Sequence, residues 1–259
     1  MKNFRDYLKN MSLIQVVSAL ASVLLCGCAH YYYIPKAHNV PLFTEKNDFR
    51  FCISTGFEDN SSSTDIQAAY AVTKNLGIMT DFMFSNGGYF YERNVAKLTY
   101  FDGAIGYFKP FGEFWVFETY AGLGTSSQRH EYYSGDYQGK SLLKFSKTFF
   151  QPSLGITLNA FDIALTTGFS RMNFTRVENS ATPGSAYYND LEMINQDRIS
   201  TLFEPAFTVR AGWKAVKAQL QYVYTFNLTN PDLPFEYSKV SLGIYVSLSK
   251  KYLSQAKSE

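Results

Sequence analysis

Histidine and cysteine are scarce in this sequence. The 259 residues include three histidines and three cysteines, and two of the cysteines fall within the first 28 residues. No histidine pair has metal-ligand spacing, and neither a G-x-S-x-G motif nor a phosphate-binding loop occurs. We therefore expect a protein that is not an enzyme and that binds neither a cofactor nor a metal ion.

An excess of either charge is also missing. Charged residues make up 18% of the chain and the formal net charge is +2. Residues 1–27 hold three cations and one anion, so the remainder of the chain is formally neutral. A chain without a basic surface offers little to the phosphates of a nucleic acid, and no nucleic-acid partner is expected.

No apolar run is long enough for a permanent transmembrane helix. The longest apolar stretch, 11–25, follows the cations Lys2, Arg5 and Lys9. A helix of this length spans about 22 Å, which is less than the ~30 Å hydrocarbon core of a bilayer. A cationic start followed by a short apolar segment is the pattern of a secretory signal peptide.

The end of this apolar stretch indicates where the mature chain begins. Leu25, Cys26, Gly27 and Cys28 resemble a bacterial lipobox, and Cys28 is the better first residue because small Gly27 precedes it. The resemblance implies acylation of Cys28 (palmitate or a similar chain), and Ala29, which is not aspartate, favours the outer membrane. The alternative is an ordinary secretory signal that is cut one or two residues later.

Apolar and polar residues alternate through most of the remaining sequence. Phe203, Phe207 and Trp213 alternate with Glu204 and Arg210, which is the period-two pattern of a β-strand. Helical periodicity is nearly absent. Ten segments are predicted to be strands: 48–57, 64–73, 77–85, 97–108, 113–124, 145–158, 161–174, 200–213, 216–228 and 237–248.

The composition of the two faces indicates which one points outward. The polar face contains mainly small residues with isolated charges, as at Asp162, Thr166 and Ser170, whereas a solvated exterior would be rich in Lys and Glu. The apolar face is crowded with aromatic residues that suit lipid and its interfaces. We therefore expect the apolar face to contact lipid and the small residues to line a lumen.

The connections between the predicted strands alternate in length. Short turns lie near 74–76, 109–112, 159–160 and 214–215, and longer polar loops lie at 58–63, 86–96, 125–144, 175–199 and 229–236. This pattern resembles the small Gram-negative outer-membrane β-barrel proteins across 48–248. The resemblance implies an all-β fold: a single closed antiparallel transmembrane barrel of about ten strands, with short periplasmic turns and long extracellular loops. An even strand number would place both termini on the periplasmic side.

The chain is thus divided into four parts. Residues 1–27 are the signal peptide, 28–47 a membrane-proximal linker, 48–248 the barrel and 249–259 a polar periplasmic tail. The tyrosines at 31–33 fit the bilayer interface, where amphipathic rings are favoured. Packing of the linker beneath or against the barrel is the alternative.

Seven charged residues fall on the predicted inner face and form an expected polar network. Buried charges need partners, so we expect pairs across the lumen such as Glu118 or Glu204 with Arg50 or Arg210. Steady conductance is expected to be negligible, because ten strands leave little open bore. The seven residues are Arg50, Asp65, Asp81, Asp102, Glu118, Glu204 and Arg210.

Three functions are compatible with such a barrel. The first is a lipid-anchored, non-catalytic structural or accessory component of an envelope assembly, integral to the outer-membrane bilayer, that contacts another envelope protein through Tyr-rich loops at 128–140 and 175–198. The second is a rim hydrolase acting on peptide or lipid, for which His130 in an exposed loop is the candidate base. The third is a narrow channel for small solutes.

The lipobox assignment predicts that a Cys28→Ser change abolishes incorporation of radiolabelled palmitate and leaves an unprocessed precursor, because the acylated sulfur is lost. A Cys26→Ser change is the matched control and should leave both labelling and processing intact. Undiminished labelling of the Cys28→Ser protein would contradict the assignment.

Overall fold

The computed structural model describes residues 31–58, 61–87, 95–134, 137–213 and 215–249. These residues form eleven strands and one helix, α1, at Ala186–Gln196. The strands are β1 Phe49–Phe57, β2 Ser61–Ala71, β3 Leu76–Gly87, β4 Val95–Phe111, β5 Trp115–Ser134, β6 Tyr137–Thr157, β7 Phe161–Asn179, β8 Ile199–Trp213, β9 Val216–Tyr224, β10 Phe226–Asn227 and β11 Ser238–Leu248.

The strands form one closed antiparallel barrel. Each strand from β1 to β8 pairs with its neighbour in the chain, β9 pairs with both β8 and β11, and β11 pairs with β1. The two-residue strand β10 pairs with β8 beyond Thr225, so β9 and β10 together act as one barrel strand. The predicted ten-stranded closed barrel is therefore confirmed. Closure pairs the backbone of the first strand, which lipid could not hydrogen-bond.

The apolar faces of the strands point outward. In β1, Cys52, Ser54 and Gly56 are buried while Ile53 and Phe57 are exposed. Large apolar side chains cover the outside of the barrel, and Trp213, Leu123 and Leu165 are 75%, 68% and 64% exposed. Such a surface is stable against acyl chains and costly in water, as the sequence pattern predicted.

The two ends of the barrel differ. The connections at 72–75, 112–114 and 158–160 are short, and this end is called the short-turn end. The opposite end, called the long-loop end, includes 180–198 and 228–237. The expected loop at 125–144 is wrong, because β5 and β6 stay paired from Trp115↔Ile156 as far as Ser134↔Tyr137.

Helix α1 lies in the connection between β7 and β8 and was not predicted. Ser185 caps its first turn, since the Ser185 hydroxyl accepts a hydrogen bond from the Tyr188 amide at 3.2 Å. Leu191 and Ile194 are fully buried beneath the helix. No helix among the described residues is long and apolar enough to cross a membrane.

The linker lies inside the barrel, which corrects the expected position against the membrane. Every residue from 32 to 43 is buried, and the chain leaves the lumen at the short-turn end before β1 begins at Phe49. Tyr31 consequently lies at the long-loop end, whereas β1 begins at the short-turn end. The signal peptide, Cys28 and nearly all of the tail at 249–259 lie outside the described residues.

Candidate functional site: the occupied lumen

Residues 31–43, called the lumen segment, run lengthwise through the barrel. At the long-loop end the Tyr32 amide donates to the Pro234 carbonyl at 2.9 Å, and the Gln128 side-chain amide donates to the Tyr32 carbonyl at 3.0 Å. At the short-turn end the Phe43 amide donates to Glu118 Oε1 at 3.0 Å. The segment therefore occupies the lumen from one end to the other.

Side chains of the barrel wall satisfy the backbone of the lumen segment. Pro35 and Pro41 oppose regular strand pairing, so the segment joins no strand and its buried polar groups need other partners. Glutamines and an aspartate supply them. The bonds are Ala37 N to Asp65 Oδ1 (3.0 Å), Gln67 Nε2 to Ala37 O (2.8 Å), His38 N to Gln221 Oε1 (2.6 Å), Gln221 Nε2 to His38 O (3.0 Å) and Gln151 Nε2 to Asn39 O (2.7 Å).

Lys36 places a buried cation between two carboxylates. Its ammonium lies 2.6 Å from Asp102 Oδ2 and also pairs with Asp81. Asn39, three residues later, donates to the other Asp81 oxygen at 2.7 Å. The Phe149 ring centroid lies 5.2 Å from the ammonium. The pairing compensates two wall charges that would otherwise be buried side by side without a cation.

Tyr33 joins the lumen segment to a second buried ion pair. Lys147 Nζ lies 2.6 Å from Glu204 Oε2 and donates to the Tyr33 hydroxyl at 2.7 Å. The Tyr33 hydroxyl in turn donates to the other Glu204 oxygen. All three side chains are buried, so β6, β8 and the lumen segment are tied together where water is excluded.

Two arginines hold the segment where it approaches the short-turn end. Arg210 donates to the Val40 carbonyl and to Gln219 Oε1, both at 2.7 Å. Arg50 and the Tyr245 hydroxyl both donate to the Pro41 carbonyl, at 3.2 Å and 2.6 Å. These side chains bind backbone carbonyl oxygens, so their contacts depend on the backbone conformation of the lumen segment.

A tight turn carries the chain from the lumen into β1. Asp48 Oδ2 accepts from the Thr44 amide at 3.0 Å and from Arg50 at 2.8 Å. Burial raises the pKa of the Asp48 carboxyl above its ordinary value, and Arg50 opposes that rise. Asn47 has a φ of 67°, a left-handed conformation that asparagine tolerates better than most residues.

All seven predicted network residues are buried on the inner side of the barrel, but they differ from the prediction in their partners. Glu204 pairs with Lys147 and with neither predicted arginine. Glu118 accepts from the Phe43 amide, and Arg210 binds the Val40 carbonyl. The lumen segment therefore binds residues that were expected to pair with each other across an empty interior. The seven are Arg50, Asp65, Asp81, Asp102, Glu118, Glu204 and Arg210.

Four buried lysines among the described residues lie outside the seven predicted residues; the sequence pattern indicated an inward position for Lys239, and the other three were missed. Lys217 shares its face of β9 with Gln219 and Gln221, and this alternation was a usable signal; the structure pairs it with Asp162 at 2.6 Å. Lys147 lies on a strand whose inner face also holds two phenylalanines, which obscures the polar side. Lys36 lies in the linker, where no periodicity exists. Lys239, also buried, pairs with Asp65 at 2.6 Å.

A hydrophobic cluster closes the long-loop end and is called the cap. Its members come from the lumen segment, the upper strands, helix α1 and the last loop, so the opening is covered by packed side chains. Described members include Tyr32, Tyr33, Tyr132, Leu143, Phe145, Met172, Phe174, Leu191, Ile194, Leu202, Leu233 and Phe235.

His130 is part of the cap and does not lie in an exposed loop as expected. It is buried on β5, and its ring stacks on Tyr132 with an interplanar angle of 4°. Its Nε2 lies 3.3 Å from Gln128 Oε1. Among the described residues, no group of three or more His, Cys, Asp or Glu side chains is arranged to hold a metal ion.

A cavity of about 210 Å³ opens at the short-turn end, below the lumen segment. Arg50, Glu113, Asp162 and Lys217 contribute its charged lining, and Trp115 and Val116 contribute apolar surface. The Lys217–Asp162 pair already satisfies two of these charges.

No family model and no curated protein sequence matches this chain. Solved outer-membrane barrels are similar to it in fold. An outer-membrane channel from Pseudomonas putida F1 shares 8% identity at a TM-score of 0.42, covering 83% of this chain and 100% of that chain. The NanC porin shares 9% identity at a TM-score of 0.38, covering 77% and 100%. LpxR from Salmonella typhimurium shares 7% identity at a TM-score of 0.37, covering 76% and 99%. The resemblance extends to the barrel alone.

The cluster of Lys36, Asp81 and Asp102 predicts a large loss of stability when its cation is removed. A Lys36→Met change should lower the free energy of unfolding by about 3–5 kcal/mol, because Asp81 and Asp102 remain buried without their partner. The measurement is the urea midpoint of the folded protein in detergent, followed by tryptophan fluorescence.

Lys140→Met is the matched control for that change. Lys140 pairs with Glu131 on the surface, where such pairs contribute about 0–1 kcal/mol. Adding Asp81→Asn and Asp102→Asn to Lys36→Met should recover part of the loss. Equal effects of Lys36→Met and Lys140→Met would show that the cluster does not hold the segment.

Proposed function

We propose that this protein is a lipid-anchored, integral outer-membrane barrel, closed by its own N-terminal segment, that serves as a non-catalytic structural or accessory component of the envelope. One observation carries the proposal: all residues from 32 to 43 are buried inside the barrel. A lumen that the chain itself fills is not free to bind a transported solute.

The outer surface of the barrel supports the membrane location. Exposed leucine, isoleucine and aromatic side chains surround the strands, and a closed barrel leaves no unpaired edge in lipid. The lipid anchor rests on the lipobox at Cys28.

The polar contacts of the lumen segment argue against a channel. A loosely held plug would contact the wall through water, whereas Lys36 and Tyr33 here bind wall carboxylates directly. The cap adds a second closure at the long-loop end. Opening a path would expose buried ion pairs and apolar side chains together.

The surroundings of His130 do not favour a rim hydrolase. A general base must reach the proton that it abstracts, but this ring packs against Tyr132 and lies 5.3 Å from the Tyr32 ring. These contacts favour a packing role.

The long-loop end offers the surface for a partner. β5 has 20 residues, about 66 Å at about 3.3 Å each and about 47 Å along the axis at a tilt near 45°. The apolar band of such barrels is about 25 Å tall, so the β5–β6 hairpin projects roughly 20 Å beyond it. Helix α1 packs beside this hairpin, with the Tyr132 and Tyr187 rings 4.3 Å apart. A projection of this kind, with tyrosine side chains at its base, suits protein contacts.

The closed lumen predicts that the purified wild-type protein produces no steady current in planar bilayers. A Lys36→Glu change should produce intermittent openings, because a third carboxylate beside Asp81 and Asp102 repels the lumen segment from the wall. Lys140→Glu, on the surface, is the control and should remain silent. Steady wild-type openings as large as those of Lys36→Glu would contradict the proposal.

The accessory role predicts co-purification with another envelope protein. A tagged chain should retain a stoichiometric partner when outer membranes are extracted in mild detergent, and Met193→Asp should weaken that retention because Met193 is on the exposed side of α1. Val116→Ala, inside the barrel, tests for indirect effects. Isolation without a partner, combined with hydrolysis of lipid or peptide by the purified chain, would favour the hydrolase.

A further inference from the structure

The lumen segment has a fixed direction along the barrel axis. On β5 alone, Gln128 binds the Tyr32 carbonyl and Glu118 binds the Phe43 amide. These positions are about 33 Å apart along the strand and about 23 Å apart along the axis, for a rise of about 3.3 Å and a tilt near 45°. Tyr32 and Phe43 are therefore separated by nearly the whole apolar band.

The contacts at each end agree on that direction. The Glu236 amide donates to the Tyr33 carbonyl at 2.9 Å, and Glu236 belongs to the connection before β11 at the long-loop end. At the other end the Asn47 amide donates to the Ala71 carbonyl at 2.9 Å, next to the short turn between β2 and β3. The chain thus enters the lumen among the long loops and leaves it among the short turns.

We infer that the N-terminal end of the lumen segment, at Tyr31, opens on the cell-surface side of the outer membrane, so that a lipid attached to Cys28 cannot reach the inner leaflet. This rests on the proposed outer-membrane location, with long loops outside as in barrels of this type. Cys28 lies three positions before Tyr31, a distance that the chain spans with at most about 10 Å. A return to the inner leaflet requires more than twice that distance.

The buried contacts of the lumen segment oppose the opposite arrangement. Withdrawing the segment toward the periplasm would separate Lys36 from Asp81 and Asp102, and Tyr33 from Glu204. The first separation leaves two buried carboxylates without their cation, and the second removes a hydrogen bond from the buried Lys147–Glu204 pair. The folded barrel therefore holds the N-terminal side of the segment at the surface.

Thiol labelling of intact cells tests the inference. In a Cys52→Ser background, single cysteines are introduced by Tyr31→Cys, by Gln196→Cys in the exposed last turn of α1, and by Glu113→Cys in the exposed turn between β4 and β5. A membrane-impermeant maleimide is applied before and after permeabilisation, with the unsubstituted background measuring reaction at Cys28.

We expect Tyr31→Cys and Gln196→Cys to react equally in intact and permeabilised cells, and Glu113→Cys to react only after permeabilisation. If Tyr31→Cys behaves like Glu113→Cys while Gln196→Cys reacts in intact cells, the inference is overturned and the barrel proposal stands. If Gln196→Cys is also protected, or the chain fractionates as a soluble protein, the proposed location fails and the inference fails with it.

If the Tyr31→Cys thiol stays unreactive even after permeabilisation, a second reporter is used. An epitope flanked by Gly-Ser linkers is inserted between residues 30 and 31. Antibody binding to intact cells supports surface emergence, and binding only after permeabilisation overturns it.

Discussion

The structure depends on the buried polar contacts between the lumen segment and the barrel wall. Some charges on the inner faces of the strands pair with one another, as Lys147 does with Glu204, but Asp81 and Asp102 pair with Lys36 of the lumen segment. An eight-stranded barrel is filled by its own side chains, whereas two further strands add space. The lumen segment occupies that space and supplies Lys36, Tyr33 and a row of backbone groups to complementary wall residues. The inner faces of the strands and the lumen segment therefore pack together as one core.

The outer surface follows a different rule. There the pattern is set by lipid, so leucine and aromatic residues are exposed and the strand edges are paired all the way round. Beyond the apolar band, polar side chains point outward and aromatic side chains point inward. In the upper part of β5, Ser127 and Arg129 point outward while His130 and Tyr132 point into the cap. One strand therefore passes through two environments, with opposite requirements for its inner and outer faces.

This reversal explains what the sequence could and could not predict. Period-two alternation and alternating connection lengths were sufficient for the ten-stranded barrel, its orientation and the inward placement of residues such as Arg50 and Glu204. The sequence of the upper halves of β5 and β6 predicts a loop, because polar residues there face water. The position of the lumen segment could not be predicted, since a stretch containing Pro35 and Pro41 has no periodicity and is positioned by matching distant side chains. Helix α1 is short, and Leu191 and Ile194 are its two buried residues.

The lumen segment contacts β1 through β6, β8, β9 and β11, through side chains such as Arg50, Asp65, Asp81, Gln151 and Tyr245. Contacts with so many strands constrain the order of folding. The pairing of β1 with β11 has to form with the lumen segment already in place, because a closed barrel would offer the segment only a narrow, charged entrance. The lumen segment, which is synthesised before the strands, then acts as a template on which the last strand, β11, completes the barrel.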